Sequence, residues 1–287
     1  MRIPGADYAR VEVDGLGLNV ATMGAGPPLL LLHGYPQTHL IWRKVAPELA
    51  QRFTLVMPDL PGYGASEGPE PDGGQANYAK REIAGRLVAL MRRLGHERFH
   101  VCGHDRGGRV AYRMALDMAD AVDRLVLLDI IPTGEQFARM QAKGAMRGFH
   151  WLFLAQPAPL PEQVIGADPE AFVGGLLDRW AGHREALADA RAAYVEQYDN
   201  PNVVQASCED YRAGWHTDRV RDEEDRAAGR KIAAKTLVLW ATRYLADPEP
   251  VWREWCEDVT VQSLDCGHFL AEEKSDDVAA AMVGFLK

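Results

Sequence analysis

The run of residues from Phe99 to Tyr112 limits most strongly how this chain folds. It reads FHVCGHDRGGRVAY, an apolar stretch that enters a glycine-rich turn and is followed by apolar side chains at helical spacing. A strand, sharp turn and helix of this kind needs small residues such as Gly103, Gly107 and Gly108, because the turn is strained and the helix passes close to the strand. The pattern therefore predicts that Asp105 presents its carboxylate at the end of a buried strand.

A carboxylate in that position has its own chemistry. It is ionised near neutral pH, so it attacks carbon without a base to activate it. Attack on a saturated carbon that bears a leaving group gives an alkyl ester, which water then cleaves at its carbonyl. Aspartate is also a common helix N-cap, so Asp105 alone does not separate a nucleophile from a structural cap.

Composition narrows the class of protein. The chain has 287 residues, 47% of them hydrophobic, which is enough for a buried core in one large or two modest domains. Its formal net charge of −9 argues against nucleic acid and anionic membranes as partners, and an anionic substrate would need a local basic site. The N-terminus lacks an apolar leader, and no stretch has the length of a membrane span. The four cysteines, Cys102, Cys208, Cys256 and Cys266, lack the spacing of metal ligands. We therefore expect no bound metal, and we expect reduced thiols in a cytoplasmic protein.

Short apolar runs alternate with helical patterns in both terminal parts of the chain. This alternation predicts the α/β class, with a mostly parallel central sheet flanked by helices and ligands bound at the carboxyl ends of the strands. Strand-like runs disappear between residues 132 and 224, where helical patterns dominate. We therefore expect a core of residues 1–131 and 225–287 with an inserted helical cap at 132–224.

Other polar groups follow predicted strands at the same edge. The strand Leu29–Leu32 ends in His33-Gly34-Tyr35-Pro36, where the proline constrains the turn and aims the Tyr35 N–H into a site beside Asp105. The loop Asp59–Ser66 is rich in glycine but lacks the spacing of a phosphate-binding loop, so we interpret it as structural.

His268 follows the last predicted strand, and Asp129 and Asp247 each follow an earlier one. The chain order of nucleophile, acid and histidine is the order of an α/β-hydrolase triad. Strand position leaves both acids open as partners of His268, and we favour Asp129.

These motifs together resemble the fluoroacetate (haloacetate) dehalogenase family of the α/β-hydrolases, over essentially the whole chain. The matching stretches are HGYPQT at 33–38, GHDRGGRVAYR at 103–113, LDIIPT at 128–133, CEDYRAG at 208–214 and CGHFLAEE at 266–273, with His150-Trp151 in the predicted cap. The resemblance implies that Asp105 is the nucleophile, His268 the base and Asp129 its partner. It further implies a haloacid substrate, a homodimer and no cofactor.

The resemblance also assigns binding roles. It implies that Arg106 and Arg109 bind the substrate carboxylate, that His150, Trp151 and Tyr211 bind the departing halide, and that Trp180 lines the pocket. The residue chemistry agrees. Two arginines three apart at a helix start can share one face, and N–H and O–H donors stabilise a leaving halide. The backbone N–H groups of Tyr35 and Arg106 would hold an oxyanion, and Arg113 is expected to be an ordinary helix charge.

Four alternatives are weighed against this interpretation. An epoxide hydrolase shares the triad and donates from cap tyrosines, for which Tyr194, Tyr198 and Tyr211 are available, but an uncharged epoxide leaves the two arginines without a ligand. A haloalkane dehalogenase carries tryptophan directly after its nucleophile, where this chain has Arg106, and a serine esterase needs serine at position 105. A hydrolase-fold binding protein would have no need of a complete triad.

Overall fold

The computed structural model describes residues 1–73 and 75–287, and within them the core is a sheet of eight strands. Their order across the sheet is β1-β2-β4-β3-β5-β6-β7-β8. The strands β1, β2 and β4 pair antiparallel, and all later neighbours are parallel, as predicted. The bounds are β1 (Asp7–Val13), β2 (Leu16–Met23), β3 (Pro28–Leu32), β4 (Thr54–Pro58), β5 (Phe99–His104), β6 (Val122–Leu128), β7 (Lys235–Ala241) and β8 (Val259–Leu264).

Local sequence explains one end and the centre of this strand order. Asp14 and Gly15 both have positive φ, 48° and 78°, which is the backbone that a two-residue hairpin between β1 and β2 requires. The central strands β3 and β5 are buried on both faces, since Leu29–Leu32 and all of β5 lie in the interior. Such strands are stable only when helices cover both sides of the sheet.

Helices account for most of the remaining described chain. The α-helices are α1 (Ala46–Leu49), α2 (Lys80–Arg93), α3 (Asp105–Asp117), α4 (Thr133–Ala138), α5 (Lys143–Arg147), α6 (Phe149–Leu154), α7 (Leu160–Ala167), α8 (Gly175–Trp180), α9 (Arg191–Glu196), α10 (Pro201–Ala213), α11 (Arg219–Ala227), α12 (Glu249–Trp255), α13 (Leu270–Glu273) and α14 (Ser275–Phe285). Short 3₁₀ turns lie at His39–Lys44, Ala76–Tyr78, Ala119–Ala121, Arg184–Leu187 and Gln197–Asp199, and π turns lie at Glu170–Gly174 and Gly214–Asp218. None of the helices in the described residues is long and apolar enough to cross a bilayer.

The segment from α4 to α11 separates β6 from β7 in sequence, although these strands are neighbours in the sheet. The segment is helical and is tied to the rest of the chain by polar contacts. Asp218 accepts a hydrogen bond from the Lys80 N–H at 2.9 Å, and the Tyr63 hydroxyl donates to Asp210 at 3.0 Å. The division into a core and a cap with the bounds given above stays a prediction.

The parallel strands deliver several polar residues to one edge of the sheet. His33 follows β3, Asp105 follows β5, Asp129 follows β6 and His268 lies shortly after β8. All four side chains are buried, with at most 7% of each residue exposed. Buried polar groups in such numbers require partners, and their partners define the candidate site.

Candidate active site

Asp105 lies at the turn from β5 into α3 with φ +47°, in the left-handed region that side chains other than glycine rarely adopt. Its neighbours explain how the turn forms. A Cβ on Gly103 would lie 2.4 Å from the Gly107 carbonyl oxygen, and one on Gly107 would lie 2.3 Å from the His33 carbonyl oxygen. The glycines thus let the helix approach the strands, and the strained backbone presents the carboxylate, as predicted.

The carboxylate of Asp105 is held on one side and faces a histidine on the other. Its Oδ1 accepts a hydrogen bond from the backbone N–H of Tyr35 at 2.9 Å, the donor predicted from the Tyr35-Pro36 turn. Its Oδ2 lies 3.8 Å from Nε2 of His268. Burial opposes ionisation of Asp105, but the neighbouring His268 outweighs burial and holds the pKa of the carboxyl below its usual range.

His268 is oriented by Asp129. Nδ1 of His268 lies 2.6 Å from Oδ2 of Asp129, and Oδ1 of Asp129 accepts the backbone N–H of Ala241 at 2.8 Å. Burial acts against the charged imidazole, yet Asp105 and Asp129 together raise the pKa of His268 to about 9. The alternative acid, Asp247, is exposed and accepts the backbone N–H of Glu249 instead. The structure therefore brings Asp129, the acid that we favour, to the histidine.

Arg106 and Arg109 lie on one face of α3, and both guanidinium groups lie over the ring of Trp151, at 5.1 and 4.3 Å from its centroid. Their partners differ. Arg106 donates from Nε to Oδ2 of Asp210 and from Nη2 to the carbonyl of Asp210, both at 2.6 Å, so its charge is already balanced. Its Nη1 is buried without a partner among the described residues.

Arg109 has no carboxylate partner within the described chain. Its Nη1 donates to the carbonyl of Ile131 at 2.8 Å, and its Nε is buried without a partner there. Burial and the adjacent Arg106 lower the pKa of Arg109, and the negative charge of Asp105 offsets this only in part. A bound anion would balance the charge of Arg109. Arg109 is therefore the better candidate of the two arginines for binding a ligand carboxylate.

The residues expected to bind halide form an aromatic group with the Tyr35 ring. Tyr211 packs edge-on against Tyr35, His150 and Trp151, with centroids 5.3, 5.9 and 5.4 Å apart. His150 packs on Trp180 at 4.5 Å, and its Nδ1 is buried without a partner in the described structure. Burial lowers the pKa of His150 to about 3, so its imidazole is neutral. Except for Tyr35 and Tyr211, these side chains line one cavity with Asp105 and His268.

That cavity has a volume of about 420 Å³ and opens among α4, α5, α6, α8 and the loop after β7. Asp105, Arg109, His150, Trp151, Trp180 and His268 line it. Arg106 does not, so its contact with a ligand would be made through the buried Nη1. No group of three or more potential metal ligands occurs in residues 1–73 and 75–287.

Two residues at this site were missed from the sequence. Asp210 binds the guanidinium of Arg106. The sequence signal for Asp210 was its place directly before Tyr211 in the CEDYRAG stretch. Tyr244 lines the cavity and stacks on His268 with centroids 4.1 Å apart and planes inclined by 29°. Its position shortly after the end of β7 was the signal for Tyr244, since functional side chains cluster at that edge of a parallel sheet.

Two further features of the sequence, the glycine-rich loop Asp59–Ser66 and Arg113, have structural partners outside the cavity. In the glycine-rich loop, Asp59 accepts the backbone N–H groups of His39 and Ala65, both at 3.0 Å, and so braces the loop. Arg113 is bound by Asp222, at 2.5 Å, and by Asp225. Neither feature lies on the cavity lining. The loop is structural, as predicted, but Arg113 is not the surface charge that an ordinary helix would carry, because it is buried and paired with two aspartates.

Fold and site together define the class of this protein. Residues 27–275 match the family model described as alpha/beta hydrolase fold, and the chain therefore belongs to the α/β-hydrolase family. It is 41% identical to a fluoroacetate dehalogenase from Burkholderia sp, over 98% of this chain and 94% of that relative. The resemblance predicted from the motifs is thereby confirmed. The chain is also 31% identical to a soluble epoxide hydrolase from Corynebacterium sp. (strain C12), over 97% of this chain and 96% of that one.

Solved structures agree with this assignment. A putative α/β hydrolase from Nostoc sp PCC 7120 superimposes with a TM-score of 0.96 at 42% identity, covering 100% of this chain and 99% of that one. A mutant of a putative epoxide hydrolase from Pseudomonas aeruginosa, with bound MFA, gives a TM-score of 0.94 at 42% identity, with 99% and 96% covered. The α/β-hydrolase fold is therefore shared along the full chain.

Proposed function

We propose that this protein hydrolyses haloacetates, fluoroacetate among them, to a 2-hydroxy acid and a halide ion. The observation that carries the proposal is the carboxylate of Asp105, which faces a cavity together with the uncompensated cation of Arg109 and the aromatic donors His150 and Trp151. The relationship to a fluoroacetate dehalogenase at 41% identity supports the same reaction.

In the first step the substrate carboxylate binds to Arg109, with Nη1 of Arg106 as a second donor. These charge-assisted bonds offset the repulsion between two carboxylates and place the α-carbon at Asp105. Tyr35 holds Oδ1 of Asp105, which leaves Oδ2 as the attacking oxygen. A bond forms between Oδ2 and the α-carbon, the carbon–halogen bond breaks, and the halide leaves with its electron pair.

The departing halide is received by hydrogen-bond donors. His150 is neutral and carries one N–H, Trp151 carries its indole N–H, and Tyr211 carries a hydroxyl. Charge grows on the halogen only as the bond breaks, so fixed donors stabilise the transition state more than the bound substrate. Fluoride gains most, because it is a poor leaving group and a strong hydrogen-bond acceptor.

In the second step His268 removes a proton from water, and the resulting hydroxide adds to the carboxyl carbon of the Asp105 ester. The N–H of Tyr35 stabilises the oxyanion, and we assign the N–H of Arg106 the same task. The ester bond then breaks, the alkoxide takes the proton held by His268, and Asp105 is left as a carboxylic acid. Its remaining proton passes through His268 to solvent, which restores the Asp105 carboxylate and accounts for the one H⁺ released with each halide ion. Asp129 keeps the imidazole oriented throughout. These steps need no metal ion or organic cofactor.

Epoxide hydrolysis is the second candidate, because relatives with that name share the fold and the chain length. Its chemistry needs tyrosine hydroxyls at the epoxide oxygen. The hydroxyl of Tyr194 donates to Glu272 at 3.0 Å and is therefore engaged elsewhere, whereas the hydroxyl of Tyr198 accepts a hydrogen bond from the Ser207 hydroxyl at 3.3 Å and keeps its own proton. Tyr198 and Tyr211 remain as candidate donors, but neither lines the cavity that holds Asp105, and the cation of Arg109 favours an acid over an epoxide.

Turnover assays test the proposal directly. Wild-type protein is incubated with fluoroacetate, chloroacetate and a neutral epoxide, and free halide and diol are measured. In parallel, His268→Asn is exposed to each acid and its intact mass is recorded. We expect halide from both acids and a mass gain of one carboxymethyl group, mapped to Asp105. Diol formation without halide release would replace this proposal with the epoxide hydrolase, and no turnover at all would favour a binding protein.

Compartment and assembly belong to the same proposal. Cys102, Cys208, Cys256 and Cys266 are all free and buried, which fits a reducing cytoplasm. We also propose a homodimer, which light scattering on the purified protein tests. The partner is a small haloacid, and neither nucleic acid nor a membrane is expected.

A further inference from the structure

The cavity is larger than the proposed reaction requires. A volume of about 420 Å³ lies in the range that proteins use to enclose drug-sized ligands. A haloacetate is an acid of two carbons, and its carboxylate and α-carbon occupy the inner end, between Arg109 and Asp105. Most of the cavity is therefore left for a substituent on the α-carbon.

The outer wall of the cavity is cationic, although the chain carries a net charge of −9. Beyond Arg109, four more arginines line it, namely Arg139, Arg147, Arg179 and Arg243. Two of these have a carboxylate partner: Arg139 pairs with Glu135, which also binds Arg226, and Arg243 binds Asp265 through Nε and Nη2 at 2.7 and 2.9 Å. The other two, Arg147 and Arg179, have no such partner within the part of the chain that the structure describes.

Arg147, at the end of α5, and Arg179, in α8, are exposed and have no carboxylate within salt-bridge distance in the described residues. The guanidinium of Arg179 lies 5.8 Å from the ring of Phe149. The charge of Arg147 reaches the site: burial raises the pKa of Tyr244, and Arg109 and Arg147 oppose that rise.

Carboxylates on the lining do not cancel these cations. Asp105 is the proposed nucleophile, Asp129 is committed to His268, and Asp247 accepts a backbone N–H at the rim. An acidic ligand group in the outer cavity would therefore meet two cations that lack a partner carboxylate.

We propose that Arg147 and Arg179 form a second carboxylate-binding region, and that the enzyme prefers 2-haloacids whose α-substituent ends in a carboxylate. A 2-halosuccinate is the simplest member of this class. One carboxylate binds Arg109, the second reaches the outer arginines, and the chemistry at Asp105 is unchanged, so the product is a 2-hydroxy dicarboxylate. The inference rests on the proposed dehalogenation and adds the substrate class.

The test compares two acids of similar size, 2-chlorosuccinate and 2-chlorobutanoate, each with the same arrangement at the α-carbon. Halide release gives kcat/KM for both, with chloroacetate as reference. The variants are Arg147→Gln/Arg179→Gln and the matched control Arg52→Gln/Arg93→Gln. The control removes the same charge from exposed arginines outside the cavity lining. Thermal unfolding verifies that all variants are folded.

We expect the wild type and the control to favour chlorosuccinate by about 5- to 10-fold, the size of two partly exposed ion pairs. The preference should fall to within about twofold of unity in Arg147→Gln/Arg179→Gln. A wild-type preference for chlorobutanoate, or a preference that survives this double change, overturns the inference while dehalogenation stands. If chloroacetate and both longer acids yield no halide, the proposed function itself is wrong and the inference falls with it.

Discussion

The ring of Tyr244 stacks on the imidazole of His268, with centroids 4.1 Å apart and planes inclined by 29°. The stack covers one face of the ring whose Nδ1 is bound to Asp129. Rotation of the imidazole would break both contacts. We infer that Tyr244 is a positioning residue that keeps Nε2 of His268 directed toward Asp105.

Two substitutions at Tyr244 distinguish the contribution of its ring from that of its hydroxyl. We expect Tyr244→Leu to slow hydrolysis of the Asp105 ester by about 10-fold, since the base is less well oriented, with little effect on ester formation. Tyr244→Phe keeps the stack and should behave as wild type. Rapid-quench mass spectrometry measures the two steps and should show esterified enzyme accumulating in Tyr244→Leu alone. Equal accumulation in Tyr244→Phe would assign the effect to the hydroxyl and contradict a stacking role.

Two substitutions test whether Asp129 or Asp247 is the acid that supports His268. Asp129→Asn removes the charge that orients and stabilises the His268 imidazolium, so hydrolysis of the ester should slow by about 100-fold or more. Asp247→Asn should leave the rate within about twofold, because Asp247 is exposed and bonded to a backbone N–H. Steady-state halide release measures both. A severe loss in Asp247→Asn with a mild one in Asp129→Asn would reverse the assignment.

The reaction itself should change the basicity of His268. Its pKa is raised to about 9 in the free protein, in part by the negative charge of Asp105 at 3.8 Å. Ester formation removes that charge, so the pKa should fall toward 6.5 and make the imidazole a neutral base at the moment it is needed.

The neutral variant Asp105→Asn mimics the uncharged ester. Proton NMR titration should find the pKa of His268 near 9 in the wild type and clearly lower in Asp105→Asn, with Asp247→Asn unchanged as a control. Hydrolysis of the ester should correspondingly rise with pH through the lower pKa and then level off. A titration midpoint that stays near 9 in Asp105→Asn would show that Asp105 does not set the pKa.

The close approach of α3 to the strands gives a stability prediction. An added Cβ at Gly107 meets the His33 and Leu32 carbonyl oxygens at 2.3 and 2.4 Å, so Gly107→Ala should destabilise the fold by at least about 2 kcal/mol. Gly284, in α14, has open space around its Cα, and Gly284→Ala should stabilise by up to about 1 kcal/mol. Urea unfolding followed by circular dichroism measures both. Unfolding midpoints that move together would contradict the steric argument.

Much of the site could be placed from strand ends alone. Parallel strands leave the sheet at one edge, so Asp105, Asp129 and His268 were expected to lie together, and they do. The partners of Arg106 could not be found in this way. Asp210 comes from α10, more than a hundred residues later, and only packing of the inserted helices brings it within 2.6 Å of the guanidinium. Charge balance at a buried cation is a property of the folded surroundings.

The sequence by itself determined the α/β class, the carboxylate at the strand-to-helix turn and the order of acid and histidine, because local glycine requirements, apolar strands and helical periodicity act over short distances. Tertiary structure decided which acid reaches His268, which arginine is left without a carboxylate, and that Tyr244 stacks on the base. Those outcomes depend on distances of 2.6 to 4.3 Å between side chains from separate elements, which spacing along the chain does not encode.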